Sequence, residues 1–310
     1  MKLSKVVLTV ATAALMTTAA CGSGSGNSPL DTSSSSSSGS GGGSGGITVG
    51  SADFPESQLL AEIYAGALQA KGVQVNKKLN IGAREAYIPA LQDGSIDLIP
   101  EYTGVLTQYF NKQAKATDSE GVYTELKASL PAKLEVLDKS AAEDKDAVVM
   151  TKKKADELGA KSIADLKGKS KDLVFGGPPE WKTRPTGLPG LKKLYGLEFK
   201  SFRALDAGGP LTVAALKNGQ IDAGDLFTTD PNIAKNDFVV LEDPQHLFAA
   251  QNVVPLITKA KDTDTITTAL NAVSAKLDTQ TLAALLTEVV VDKKDASAVA
   301  KEFLTKNGLA

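Results

Sequence analysis

The sequence predicts an α/β fold. Three observations predict it. Short apolar strand patterns alternate with amphipathic helix patterns through most of the body, the rhythm of parallel sheets with right-handed crossovers. One stretch is written twice: ALQDGSIDLIPEYTG from Ala90 and ALKNGQIDAGDLFTT from Ala215 align without a gap. From Asp262 onward the alternation gives way to helix.

The body opens with ITVGS, a buried-strand pattern ending at Gly50. PESQLLAEIYAGALQAKG follows, with Leu59, Ile63 and Leu68 near helical spacing, Pro55 suited to the first turn and Gly72 to the stop. VQVNKKLNI reads as a second strand. AREAYIPALQDG reads as a helix stopped by Gly94, with Pro89 predicting a late start or a kink. IDLIPEYTG is strand and loop. After AVVMTKK the rhythm resumes: SIADLKG is a short helix, LVFGG a strand ending in the breaker-rich PPEWKTRPTG, LPGLKKLYG a helix and EFKSFRAL a strand. GPLTVAALKNG is a helix ended by Gly219, and IDAGDLFTT is again strand and loop. DFVVLED and NVVPLIT have strand length, and three helices follow: DTITTALNAVSAKL, TLAALLTEVVVD and DASAVAKEFLTKNG.

In the two written-twice stretches Gly94 matches Gly219, Asp97 matches Asp222, Tyr102 matches Phe227 and Thr103 matches Thr228. Each is a helix end, a glycine stop and a strand that delivers an aromatic and a Thr to its C-terminal end. Ligands bind at that end of open α/β sheets. If the lobes face each other, Tyr102 and Phe227 line one cleft. Local convergence on a common helix-Gly-strand unit is the plainer alternative.

The N-terminus is not part of this fold. Lys2 and Lys5 precede an apolar run from Val6 to Met16, then small residues ending in TTAAC. The run is too short for a membrane span and has the design of a secretory signal. Residues 1–21 are therefore expected to be a signal peptide. Cys21, the only cysteine in the chain, resembles a lipobox cysteine that becomes a lipidated mature N-terminus, although Thr18 stands where Leu is usual. Residues 22–46 are almost all Ser and Gly and are expected to form a disordered tether with an r.m.s. span of roughly 28 Å.

A net charge of −2 gives no footprint for nucleic acid. With one histidine, His246, and one cysteine, the chain has little for His- or Cys-based catalysis. No nucleophile elbow, Walker loop or His-x-x-x-His pair is present. The expectation is a non-enzyme without cofactor or metal. The rival classes are an extracellular hydrolase and a tethered scaffold.

Four segments carry a family resemblance: VGSADFPESQLLAEIYAGALQAKGVQV, ALQDGSIDLIPEYTGVL, EWKTRPTGLPGLKKLYGLEF and DLFTTDPNIAKNDFVVLED. The body is similar to substrate-binding proteins of osmoprotectant ABC importers, which take glycine betaine, carnitine or choline. LDAGGPLTVAAL and AEDKDAVVMTK resemble the actinobacterial branch. The resemblance implies a two-lobed periplasmic-binding-protein-like fold of type II, with residues 47–148 plus 254–310 as one lobe and 149–253 as the other. It implies a monomer that captures a small solute by hinge closure, held outside the cell membrane by its lipid anchor. Its partners would be membrane permease subunits driven by cytoplasmic ATPases. The family holds a quaternary ammonium in a tyrosine cage and a carboxylate on an arginine. By that resemblance Tyr102 is a cage ring, Phe227 a cage ring without its hydroxyl, and Arg184 the carboxylate arginine. Asp146, Gln251 and Asn252 stand where further cage tyrosines are found, and Ala52 replaces a lysine. Asp53, Thr103 and Thr228 complete the expected ligand-binding set. Such a half-aromatic cage is expected to hold glycine betaine weakly and to favour a more polar or flatter ligand. A neutral polyol or an aromatic solute is the alternative.

Overall fold

The computed structural model describes residues 46–310. The expected signal segment, Cys21 and all but the last residue of the Ser/Gly stretch lie outside them. The chain runs β1 (Ile47–Gly50), α1 (Pro55–Ala70), β2 (Val75–Lys78), α2 (Arg84–Gln92), β3 (Leu98–Tyr102), α3 (Thr103–Phe110), α4 (Ser119–Ser129) and β4 (Leu134–Val136). It crosses into β5 (Asp146–Thr151), α5 (Lys152–Leu158), β6 (Val174–Gly177), α6 (Leu188–Tyr195), β7 (Ser201–Ala204), α7 (Pro210–Lys217), β8 (Ala223–Phe227), α8 (Asn232–Lys235) and β9 (Phe238–Val240). It returns through β10 (Val253–Thr258) and ends in α9 (Asp264–Ser274), α10 (Thr279–Val290) and α11 (Ala296–Lys306).

Two five-stranded sheets result, ordered β2-β1-β3-β10-β4 and β7-β6-β8-β5-β9. They share one plan. In each sheet three parallel strands come from βαβ units, and the strand that follows a crossover, β10 or β5, lies antiparallel to the third. The expected division after residue 148 falls inside β5. That strand pairs with β8 and β9 from Asp146 to Thr151, so the second lobe takes in Asp146.

The repeated stretch is largely explained by this shared plan. Gly94 and Gly219 hold φ of +81° and +64°, the left-handed turn that stops α2 and α7. Asp97 accepts from the Thr48 amide at 2.8 Å, and Asp222 from the Val174 amide at 2.8 Å, each tying its strand to the neighbouring one. Thr103 and Thr228 each clasp a crossover. The Asn252 amide donates to the Thr103 hydroxyl at 3.0 Å while the Thr103 amide donates to the Asn252 carbonyl. Thr228 makes the same reciprocal pair with Lys145. Only the aromatic position is left over for the cleft.

Both faces of each sheet are covered. Leu59, Leu60, Ile63 and Leu68 of α1 are fully buried against one face of the first sheet, with Leu270, Leu282 and Phe303 of the C-terminal helices. Each such Leu contributes about 1.5–3 kcal/mol of burial. Phe175 and Trp181 stack at 5.2 Å in the second lobe. Helix α2 begins at Arg84 and contains Pro89, so the late start did not occur. The carbonyl that Pro89 leaves without a donor belongs to Glu85, an exposed residue that solvent can satisfy. Pro255 sits inside β10, opposite Pro100 of β3. Its carbonyl accepts from the Leu137 amide, so its nitrogen faces away from β3 and no β3–β10 bond is lost. Helices α3 and α4 and strand β4 have no counterpart in the sequence reading above.

The two crossovers run side by side. Glu143 and Asn252 form an antiparallel bridge, and the Asp144 amide donates to the Gln251 carbonyl at 3.1 Å.

Candidate ligand site between the lobes

The sheets present their C-terminal strand ends to a cavity of about 320 Å³ beside the crossovers. From the first lobe come Asp53, Phe54, Arg84, Tyr87 and Tyr102; from the second come Asp146, Arg184, Asp206, Asp225 and Phe227. Asp144 and Gln251 line it from the crossovers.

Tyr102 and Phe227 both reach this cavity, one from the end of each repeated stretch. They are joined by a ring the sequence reading missed. Phe54 lies 6.2 Å from Tyr102 and 5.1 Å from Phe227, centroid to centroid. It stands at the N-cap of α1, in the short loop that follows β1. The Tyr102 hydroxyl donates to Glu56 Oε1 at 2.7 Å, so its ring face rather than its oxygen is free for a ligand.

Arg84 and Arg184 are both committed. Arg84 lies buried and forks onto Glu101 at 2.6 and 2.8 Å, and Tyr87 donates its hydroxyl to the same carboxylate. Arg184 holds Glu85 of α2 with Nε–Oε1 at 3.1 Å and Nη2–Oε2 at 2.8 Å. This ion pair spans the lobes. Burial alone would raise the Glu85 carboxyl, but the hydrogen bonds and charge of Arg184 outweigh it and hold it below the usual range.

Beneath the rings lies a second interlobe contact. The Thr229 hydroxyl donates to Glu56 Oε2 at 2.6 Å, and the Thr229 amide to Asp144 Oδ1 at 2.9 Å. Glu56 and Asp144 both accept from Thr229 in this contact. Burial pushes both carboxyls up, and the charge of Glu56 pushes Asp144 further. Asp146 is raised by burial too, with Arg184 and Arg84 opposing.

Of the residues expected from sequence, Asp53, Tyr102, Asp146, Arg184, Phe227 and Gln251 line the cavity, Asp53 at an exposed position. Gln251 is buried, and its Oε1 accepts from the Val105 amide at 3.0 Å. Thr103, Thr228 and Asn252 do not line it. Their polar groups are spent on the crossovers: the Asn252 amide group donates to the Ser140 carbonyl and accepts from Ser119, and the two threonines clasp the chain as described above. The sequence reading also missed Glu56, Asp144 and Asp225. No motif marks them, because their importance comes from burial.

The profile of the substrate-binding domain of ABC-type glycine betaine transport systems matches residues 45–306. A glycine-betaine-binding protein of Pseudomonas aeruginosa is 28% identical over 85% of this chain and 88% of its own length. The glycine betaine-binding protein YehZ of Escherichia coli is 27% identical over 84% of this chain and 90% of its own. A solved glycine betaine/carnitine/choline ABC transporter structure superposes with a TM-score of 0.66 at 23% identity, covering 85% of this chain and 99% of that one. The two-sheet plan, the cleft at the strand ends and the match along the whole body agree, and the chain belongs to the substrate-binding domains of ABC-type glycine betaine transport systems.

Proposed function

We propose that this protein is the extracytoplasmic capture component of an ABC importer, taking a small solute of the betaine and quaternary-amine class into the interlobe cleft. The observation that carries this reading is the wall of Phe54, Tyr102 and Phe227 beside Asp146 in a cavity of about 320 Å³. Ring faces and a carboxylate are the groups that recognise an organic cation. The volume suits a molecule of that size.

The lobes close by rotation about the paired crossovers, with solvent excluded from the cleft on closure. The site comprises Asp53, Tyr102, Asp146, Arg184, Phe227 and Gln251, with Phe54 added, while Thr103, Thr228 and Asn252 serve the hinge. Among the described residues no helix is long and apolar enough to cross a membrane. Attachment through a lipid on Cys21, after removal of residues 1–20 and with the Ser/Gly stretch as a leash, accounts for the sequence at the N-terminus. The protein acts as a monomer and delivers its solute to permease subunits, with the energy supplied by their ATPases. The wording of LDAGGPLTVAAL and AEDKDAVVMTK supports membership of the actinobacterial branch.

A thermal-shift screen of the protein against betaines, choline, carnitine, polyols and phenolics tests this reading. A ligand at about 100 Kd raises stability by about 2.7 kcal/mol. Stabilisation by polyols or phenolics alone would overturn it.

A further inference from the structure

One group in the cleft has no task in this account. Asp225 lies in the middle of β8, is 0% exposed and lines the cavity, yet neither carboxylate oxygen has a hydrogen-bond partner. Its position follows from strand geometry. Side chains alternate along a strand, so Asp225 shares a face with Phe227, and the register Asp146↔Phe227 and Val148↔Asp225 puts Asp146 on that face as well. The neighbouring β6 contributes Gly177 beside Asp225, which brings no side chain to bond it. The Ala147 amide of β5 eases the carboxylate but does not meet hydrogen-bond geometry.

The arginine forks in the cavity are taken. Arg84 is held by Glu101 and Arg184 by Glu85. Two other acids that line the cavity are satisfied where Asp225 is not: half-buried Asp206 caps α7 through the Leu211 and Thr212 amides, and buried Asp144 takes the Thr229 amide. A buried carboxylate without a donor is costly and uncommon in folded proteins. In a cleft it is accounted for when the bound molecule brings the donor.

We propose that Asp225 is a specificity-determining residue that accepts a hydrogen bond from an ammonium N–H, so that the cleft selects protonated amines that keep a hydrogen on nitrogen over their permethylated counterparts. The inference rests on the organic-cation reading given above and departs from it in ranking protonated amines ahead of quaternary ones. The rings of Phe54, Tyr102 and Phe227 face the methyl groups, and Asp146 adds negative charge. A quaternary nitrogen offers these same groups only C–H and leaves Asp225 unsatisfied.

A proton should accompany binding. Burial and the facing charge of Asp146 raise the Asp225 carboxyl well above the usual range, Asp144 adds to this, and Arg184 opposes it. A cation favours the ionised form. Binding therefore releases a proton to solvent, and affinity strengthens as pH rises toward that value.

Calorimetry on the full chain decides, with two ligand pairs that differ only in one N-methyl: N,N-dimethylglycine against glycine betaine, and N,N-dimethylethanolamine against choline. The N–H member of each pair binds about tenfold tighter or more. Heats measured in two buffers of different ionisation enthalpy show proton release for these ligands. Asp225→Asn and Asp225→Ala reduce the preference to about threefold or less and abolish the release assigned to Asp225. Both variants keep or raise the melting temperature of the ligand-free protein, because they remove a buried acid that makes no internal bond. Equal binding of both members of each pair, or a preference untouched in both variants, overturns the proposal while leaving the organic-cation reading intact. A lowered ligand-free melting temperature in both variants, with the preference kept, makes Asp225 structural and also overturns it. Failure of all four compounds to bind overturns both.

Discussion

The ion pair between Arg184 and Glu85 makes opposite predictions for two ligand classes, and Glu85→Gln separates them. Arg184 is 22% exposed and Glu85 48%, so the pair belongs with solvent-screened ones, and its forked geometry places it near the upper end of their range. A contribution of about 0.5–1 kcal/mol follows, which is about two- to fivefold in an equilibrium. A ligand carboxylate that takes the Arg184 fork must displace Glu85. The variant spares it that cost, and glycine betaine gains affinity by up to this factor. Choline has no carboxylate and leaves the pair intact on closing, so it loses affinity by a similar factor. The Glu85 carboxyl is held below its ordinary value, so the pair is present at neutral pH and is lost as pH falls through that lowered value. Calorimetry with both ligands measures the two shifts, and high salt should shrink both. Shifts of the same sign for the two ligands, or none, would refute the idea that Arg184 is shared between Glu85 and the ligand.

Phe54→Leu keeps apolar bulk but removes a ring face, and should weaken an organic cation by about 0.5–2 kcal/mol with little change in the ligand-free melting temperature. The Glu56–Asp144 pair is raised in the folded protein, so its contribution is complete below the unfolded carboxylate range and is lost as pH rises through the raised values. Glu56→Gln should flatten that part of the melting-temperature profile, and an unchanged profile would contradict the raised carboxyls. Arg84→Met leaves Glu101 buried and unpaired and should destabilise by about 3–5 kcal/mol in denaturant titration, whereas adding Glu101→Leu should recover most of the loss. Cys21→Ser should release the protein into the medium or leave it unprocessed; membrane fractionation like the parent would rule out the lipid anchor.

Much of the fold could be read from the sequence because its signals are local. Thr263, Asp278 and Asp295 each accept amide hydrogen bonds at a helix start, and glycines stop helices where the chain predicted. The segment holding α3, α4 and β4 was silent for want of periodicity, although Asp118 caps α4 and Val122 and Leu126 sit four apart on its buried face. The cleft was half legible. Tyr102 and Phe227 stand at strand ends, a place that pattern can find. The tasks of Glu56, Asp144 and Asp225 depend on which partners the fold brings or withholds, and spacing along the chain carries no such information. Thr103 and Thr228 stand out in the sequence as a pair, and each spends its hydroxyl on a crossover, because a hydroxyl at a strand end serves the backbone as readily as a ligand.

The insertion of β10 between β3 and β4 also governs how the chain can acquire its structure. Tyr102 pairs with Val253, and Val136 with Leu256. The first sheet therefore cannot be completed until Val253–Thr258, in the last fifth of the polypeptide, is available. The second sheet draws all its strands from the interval between Asp146 and Val240 and can form from contiguous chain. Emerging N-terminus first, this polypeptide begins with the lobe that must wait and finishes first the lobe that starts second. Pairings of such long sequence separation are slow, and until β10 arrives the inner edges of β3 and β4 are open to other chains. Truncations before Val253 should accordingly leave the middle of the sequence ordered and the beginning prone to aggregate.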